Sequence, residues 1–289
     1  MVNYPPDPNP RPPKFVPPAG TCDTHFHVYG PPHLYPYVED RRSTPPAAPI
    51  EHYLAMAGVL GIARGVLVQP NVHGFETDVV IDGIAKGEGR LRGVINANPA
   101  FTAAEIKRLH AGGVRGIRLN LTHAHGRAFD EDAFSRQIAK IADFAWSVDL
   151  HTDLDTVVAH ADVLARAPLP VVIDHFARCD GASGTDDPGF RAVLDLCAGG
   201  NVWMKIGGAD RLMSRGARFE DITAMARALI ARAPDRVIWG TDWPHSAVFA
   251  PGQMPNDGDL LDMMLDYAPD EATRNRVLVD NPAALYGFD

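Results

Sequence analysis

Cysteine is scarce in this chain of 289 residues, with only Cys22, Cys179 and Cys197. Three cysteines at such wide spacings form neither a disulfide framework nor a metal or redox motif. A reducing compartment suits that usage, and a cytoplasmic location is the expectation. No apolar run is long enough to span a bilayer. No block of lysines and arginines is present and the formal net charge is -9, so nucleic acid is not an expected partner. The opening residues, "MVNYPPDPNPRPPKFVPPAG", lack the apolar centre of a secretory signal. Their prolines favour an extended arm over residues 1–20. Such an arm could cross the bottom of the domain, hang free, or reach a second subunit in a homo-oligomer. The sequence leaves these three open.

What is present is ordinary for a soluble enzyme: hydrophobic residues make up 46% and charged residues 22%. Short β-branched runs recur between helix-length segments. They read "TCDTHFHVYG", "ARGVLVQP", "RLRGVINAN", "VRGIRLNL", "SVDLHTD", "LPVVIDHF", "NVWMKIGG" and "DRVIWGTD". Most are apolar throughout rather than alternating, as parallel strands covered on both faces should be. The segments between them are amphipathic. "TAAEIKRLHAGG" predicts a helix capped by Thr102 and stopped at Gly112–Gly113. Eight such alternations predict an α/β fold, a (β/α)8 TIM barrel over residues 21–289. An open doubly wound sheet would want a glycine-rich nucleotide turn after its first strand, and "HVYGPPHLYPY" is not one.

All strands of a parallel barrel end on one rim, where barrel enzymes place their chemistry. Two connections after strand ends are long and irregular, "GPPHLYPYVEDRRSTPPAAP" and "PHSAVFAPGQMPNDGD". The strand ends themselves are polar. The first, "CDTHFHV", places His25 and His27 on one face of a regular strand, with Asp23 beside them and Phe26 and Val28 opposite. Two imidazoles about 7 Å apart along a strand can converge on one ion or one substrate oxygen. Other ends carry Gln69, Asn71 and His73; Arg118 and Asn120; His151; Asp174 and His175; and Asp242 with His245. Singly, each is a cap or an exposed strand end. Together on one rim they form a histidine–aspartate cluster. Lys205 lies mid-strand and reads as structural, its ammonium paired near the barrel floor. Trp239 and Trp243 read as packing.

"DTHFHV", "GIRLNL", "VVIDHFAR", "NVWMKIGGADRL", "WGTDWPH" and the closing "NPAALYGF" resemble the amidohydrolase superfamily. The resemblance covers nearly the whole chain after the arm. It is strongest to the amidohydrolase-2 branch that includes 2-pyrone-4,6-dicarboxylate lactonase, galactarolactone isomerase and 4-sulfomuconolactone hydrolase. It implies that Asp242 activates a hydrolytic water. It implies that His25, His27 and His175 bind a metal or polarise the substrate carbonyl. Arg118 and Arg211 would face a substrate anion, Tyr35 or Tyr37 would be a loop tyrosine at the substrate, and Asn71 and His245 would line the site. One departure concerns a second family arginine, six residues beyond Arg118. Ala124 stands there, and His123, His125 or Arg127 would have to compensate.

The residues suit a reaction with or without a metal. His25, His27, His151 and Asp242 suit one Zn²⁺ or Mn²⁺ with a position left for water. No strand-4 lysine is present to bridge two ions. A slip of one residue in the fifth strand would turn His151 outward. The expected partner is a small anionic lactone. The expected reaction is its hydrolysis by an Asp-activated water, with a metal-dependent decarboxylase or a lactone isomerase as the alternatives.

Overall fold

The computed structural model describes residues 3–41, 43–122, 128–246 and 248–288. Eight strands lie in chain order in one parallel sheet: β1 (Cys22–Phe26), β2 (Arg64–Val68), β3 (Leu91–Asn96), β4 (Val114–Asn120), β5 (Ser147–His151), β6 (Val171–Ile173), β7 (Val202–Lys205) and β8 (Val237–Ile238). All eight fall inside the runs read from the sequence. Closure between β8 and β1 comes from single bonds rather than a full ladder. The Thr24 amide donates to the Trp239 carbonyl at 3.0 Å, the Asp242 amide to His25 at 2.8 Å, and the His27 amide to Trp243 at 2.7 Å. Gly240 permits this approach, because a Cβ there would lie 2.6 Å from the His25 nitrogen.

Helices cover the barrel wall. The expected one begins at Thr102, whose hydroxyl accepts from the Glu105 amide at 3.3 Å while Glu105 accepts from the Thr102 amide at 2.7 Å. This reciprocal cap starts the helix Ala103–Ala111, and Gly112 ends it. The floor of the barrel is apolar: Cys22, Val66, Val68, Val94, Val172 and Ile238 meet Tyr286 from the C-terminal helix. Burying each such side chain contributes roughly 1.5–3 kcal/mol, and Asn281 adds polar ties from the C-terminal helix to the carbonyls of Pro234 at 2.8 Å and Val237 at 2.7 Å.

Two details differ from the sequence reading. In β1, Asp23 pairs with Gly65 and Phe26 with Leu67, so three steps on β1 oppose two on β2. The irregularity reverses the alternation. Asp23 therefore turns away from His25 and His27. Its carboxylate takes the Thr241 hydroxyl at 2.7 Å and the Tyr53 hydroxyl at 3.3 Å, on the outer helix Ile50–Leu60. Loops are the second difference. Beyond the two long connections, the rim carries a left-handed turn at His175–Arg178 after β6 and a short helix, Ala209–Met213, after β7.

Residues 3–16 of the proline-rich arm pack on the chain itself, and the arm ends at the foot of β2, where Gly20 lies against Arg64 and Val279. It runs down the outer wall from the β8 loop, with Tyr4 donating to the Val248 carbonyl at 3.1 Å and the Lys14 amide to Asp262 at 2.6 Å.

Candidate active site

The C-terminal ends of β1, β6 and β8 bring three imidazoles to one carboxylate oxygen. Oδ1 of Asp242 lies 3.5 Å from His27 Nε2, 3.7 Å from His25 Nε2 and 3.7 Å from His175 Nε2. The two β1 histidines face each other, Nε2 to Nε2, at 3.3 Å. All four side chains are buried. Asp242 and His175 also hold left-handed backbone conformations, with φ of 64° and 51°. Such conformations cost a non-glycine residue about 1–3 kcal/mol and persist where the surroundings require them.

Hydrogen bonds behind the rings set the tautomers. His27 Nδ1 donates to the Val68 carbonyl at 2.7 Å, and His175 Nδ1 faces the Gly207 carbonyl at 3.3 Å. Each ring therefore turns an Nε2 lone pair towards Asp242. Burial pushes the His175 imidazolium down to about 4 and that of His25 well below its ordinary range, so both are neutral at pH 7. Burial also works against ionised Asp242. Arg211, then His175, outweigh it and hold the carboxyl well below the usual carboxylate range. Arg211 grips Asp242 Oδ2 through Nε and Nη2. Oδ1 has no hydrogen-bond partner among the described residues, and neither has His175 Nε2.

Lone pairs converging on an unpartnered carboxylate oxygen form a donor set that calls for a cation or for the hydrogens of a water. The spacing fits an ion. Ligands about 2.0–2.2 Å from a tetrahedral Zn²⁺ stand roughly 3.3–3.6 Å apart. His25, His27 and Asp242 form one compact set, and His25, Asp174 and His175 another. His151 belongs to neither. It does turn inward, with Nδ1 3.2 Å from Asn120 Oδ1, but its ring centre is 6.2 Å from that of His175. His151 is thus in neither compact set, and His175 is the third imidazole at the carboxylate.

A second layer of charge lies directly below. Lys205, fully buried, donates to Asp149 at 2.5 Å, lies 3.1 Å from Asp174 and sits 3.3 Å from His25 Nδ1. Its ammonium therefore lies under the site, not at the barrel floor. Asp174 also takes Arg118 Nε at 3.0 Å and Nη2 at 2.9 Å, both on Oδ2. Arg118 is thus committed to a barrel carboxylate on one edge, with Nη1 engaged in neither bond.

The other expected residues are distributed around the mouth. Exposed Asn71 accepts from Asn120 at 2.6 Å. Tyr37 bonds the Gly30 carbonyl at 3.2 Å and stacks edge-on with His73, 5.0 Å away, so it braces its own loop. Tyr35 reaches Asp82 at 2.8 Å on the outside. His245 is buried against Asp257 at 3.1 Å rather than turned to the mouth. Ala124, His123, His125 and Arg127 lie outside the described residues. The sequence reading passed over Tyr29, which is buried with its ring centre 6.3 Å from that of His27. It also passed over Asp149. A charged residue within "SVDLH", opposite the lysine of "WMKIG", was the available signal for that pair.

Eight parallel strands with this buried histidine–aspartate cluster at their C-terminal rim define an enzyme of the (β/α)8 hydrolase class. The chain belongs to the amidohydrolase family, whose description matches residues 22–288. It is 42% identical over 292 residues to 4-sulfomuconolactone hydrolase of Rhizobium radiobacter, covering 99% of this chain and 98% of that protein. It is 33% identical to 2-pyrone-4,6-dicarboxylate hydrolase of Comamonas testosteroni, over 96% and 93% of the two chains. Among solved structures, an apo protein of Agrobacterium tumefaciens superposes with a TM-score of 0.84 at 29% identity, covering 96% and 99%. Close homologues are therefore lactone hydrolases. Among the described residues no helix is long and apolar enough to cross a membrane.

Proposed function

We propose that this protein hydrolyses a small anionic lactone. The observation that carries the reading is the convergence of His25, His27 and His175 on Oδ1 of ionised Asp242, within 3.5–3.7 Å. In that arrangement Asp242 Oδ1 accepts a proton from water as the oxygen attacks the lactone carbonyl. A carboxylate clamped by Arg211 is a weak base, so activation of the carbonyl has to contribute as well. Nε2 lone pairs cannot donate to the developing oxyanion, so that activation would come from a cation the imidazoles hold or from the guanidiniums of Arg118 and Arg211. His25, His27 and Asp242 would hold one divalent ion, which when bound supplies Lewis-acid polarisation and a more acidic water. The free edge of Arg118 at Nη1, with Arg211, is the cationic wall for the anionic group of the substrate. The ester C–O bond then breaks, and the ring opens to a hydroxy or keto acid with net gain of one water.

The test is product identity on a lactone panel. Hydrolysis adds water and releases a proton, isomerisation leaves the mass unchanged, and decarboxylation releases CO2. Asp242→Asn should fold normally and lose turnover by about a hundredfold or more, as expected on removing a general base. Near-normal hydrolysis by a folded Asp242→Asn protein would exclude the role given to Asp242.

A further inference from the structure

We propose that the proline-rich arm is a working part of the active site, a strap that fixes the β8 loop and with it the Asp242–His245 turn. The arm holds that loop at both ends. At the upper end Asn3 donates through Nδ2 to the Ser246 carbonyl, and the Tyr4 amide donates to Val248 at 3.1 Å. At the lower end Asn256 is the hub. Its Nδ2 donates to Asp7 at 2.8 Å and to the Asn9 carbonyl at 3.1 Å. Its Oδ1 accepts the Arg11 amide at 3.0 Å and caps the helix Asp257–Asp262 through the Gly258 amide at 3.1 Å. Arg11 also pairs with Asp259. The contact is close enough that a Cβ at Gly258 would collide with the Arg11 carbonyl, so glycine is required where the arm crosses.

Both ends lead to the same residue. Asp257, next to Asn256, holds the His245 ring at 3.1 Å. On the other side the Val248 amide donates to the His245 carbonyl at 3.0 Å, and the His245 amide donates to Asp242 at 2.9 Å. His245 and Asp242 both have positive φ, 59° and 64°. A turn in that conformation relaxes unless its flanks are held. A polyproline-type segment suits the task, because it is already extended and loses little entropy on docking. Asn256 and Asp7 are thus positioning residues. They touch neither substrate nor reacting atoms and act on Asp242 through His245.

The full-length chain can test this with a pair of reciprocal substitutions. Asn256→Asp keeps an oxygen to cap its helix but replaces both donors to the arm and sets a carboxylate against Asp7. Adding Asp7→Asn restores a donor to the pair. Asn256→Asp should lower kcat/KM by about tenfold, mostly in kcat, as a small misplacement of reacting groups does. Its melting temperature should hold, because the helix cap survives. The double variant should recover most of the loss. Hydrogen exchange of the backbone over residues 243–262 should quicken in the single variant and slow again in the double. The kinetic arm rests on the lactonase reading, whereas exchange does not. A wild-type protein that opens no lactone would therefore sink that reading and leave exchange to decide on the strap. Unchanged exchange in Asn256→Asp, or faster exchange with kcat unaltered, would overturn the proposal. So would a loss of kcat that tracks a fall in melting temperature and is not restored by Asp7→Asn.

Discussion

Arg118 commits two donors to one oxygen of Asp174, and the consequence reaches His25. Oδ1 of the same aspartate lies 3.4 Å from His25 Nδ1 and 3.1 Å from the Lys205 ammonium. Burial opposes the charge on Asp174, but Lys205, His25 and Arg118 together keep its carboxyl well below the ordinary range. A substrate anion at the free edge of Arg118 would thus meet a guanidinium already oriented by a carboxylate. Arg118→Met should lower kcat/KM for an anionic lactone by roughly 2–4 kcal/mol, and by clearly less for a matched neutral lactone. An equal loss on both substrates would show that Arg118 serves Asp174 alone. Lys205 gives a different expectation. Lys205→Met leaves buried Asp149 without its cation and Asp174 with Arg118 alone, and breaking a buried pair from one side costs about 3–5 kcal/mol. Urea unfolding of Lys205→Met should show that loss. Wild-type stability in the variant would mean that water enters the barrel at this depth.

At the scale of elements, the β8 loop meets the helix Asp257–Asp262 through one buried pair, His245 and Asp257. Burial by itself would depress the His245 imidazolium. The charge and hydrogen bond of Asp257, then the charges of Asp210 and Asp242, outweigh it and hold the group up to about 9. A histidine raised on folding stabilises the protein fully below its unfolded pKa of about 6.5. That contribution fades as the pH rises through about 9. Its full size, from a shift of this extent, is about 3 kcal/mol. Chemical unfolding across that window should show stability falling towards alkaline pH, and Asp257→Asn should flatten the fall. The same slope in Asp257→Asn would assign the dependence to other groups.

For the whole molecule, the site lies between an apolar floor and an anchored rim, so an ion bound by His25, His27 and Asp242 would tie β1 to β8. This is the seam that lacks a full ladder. An ion that binds only the folded chain adds about 2.7 kcal/mol at a hundred times its dissociation constant. Zn²⁺ or Mn²⁺ should therefore raise the melting temperature of chelator-treated protein, and His27→Asn should abolish the rise. A melting temperature indifferent to both ions, with full activity after chelation, would exclude the ion and require the imidazoles to present Nε2–H to the carbonyl, the opposite tautomer to the one their backbone bonds favour.

Local pattern alone determined much of this protein. Eight apolar runs, the Thr102 cap and polar strand ends sufficed for the barrel and its rim, because strand and helix periods are written in neighbouring residues. His25, His27, His175 and Asp242 were legible for the same reason: each is a polar residue where a buried strand ends. Partners across the barrel were not legible. That Arg118 binds Asp174, that His245 turns to Asp257, and that His175 rather than His151 joins the carboxylate depend on strand stagger and loop conformation. The facing of Asp23 shows the limit most plainly, since one irregularity in β1 reversed a two-residue alternation that the sequence carries unchanged. The docking of the arm on the β8 loop was likewise decided only in three dimensions, because contacts between residues some 245 positions apart leave no periodic trace in the chain.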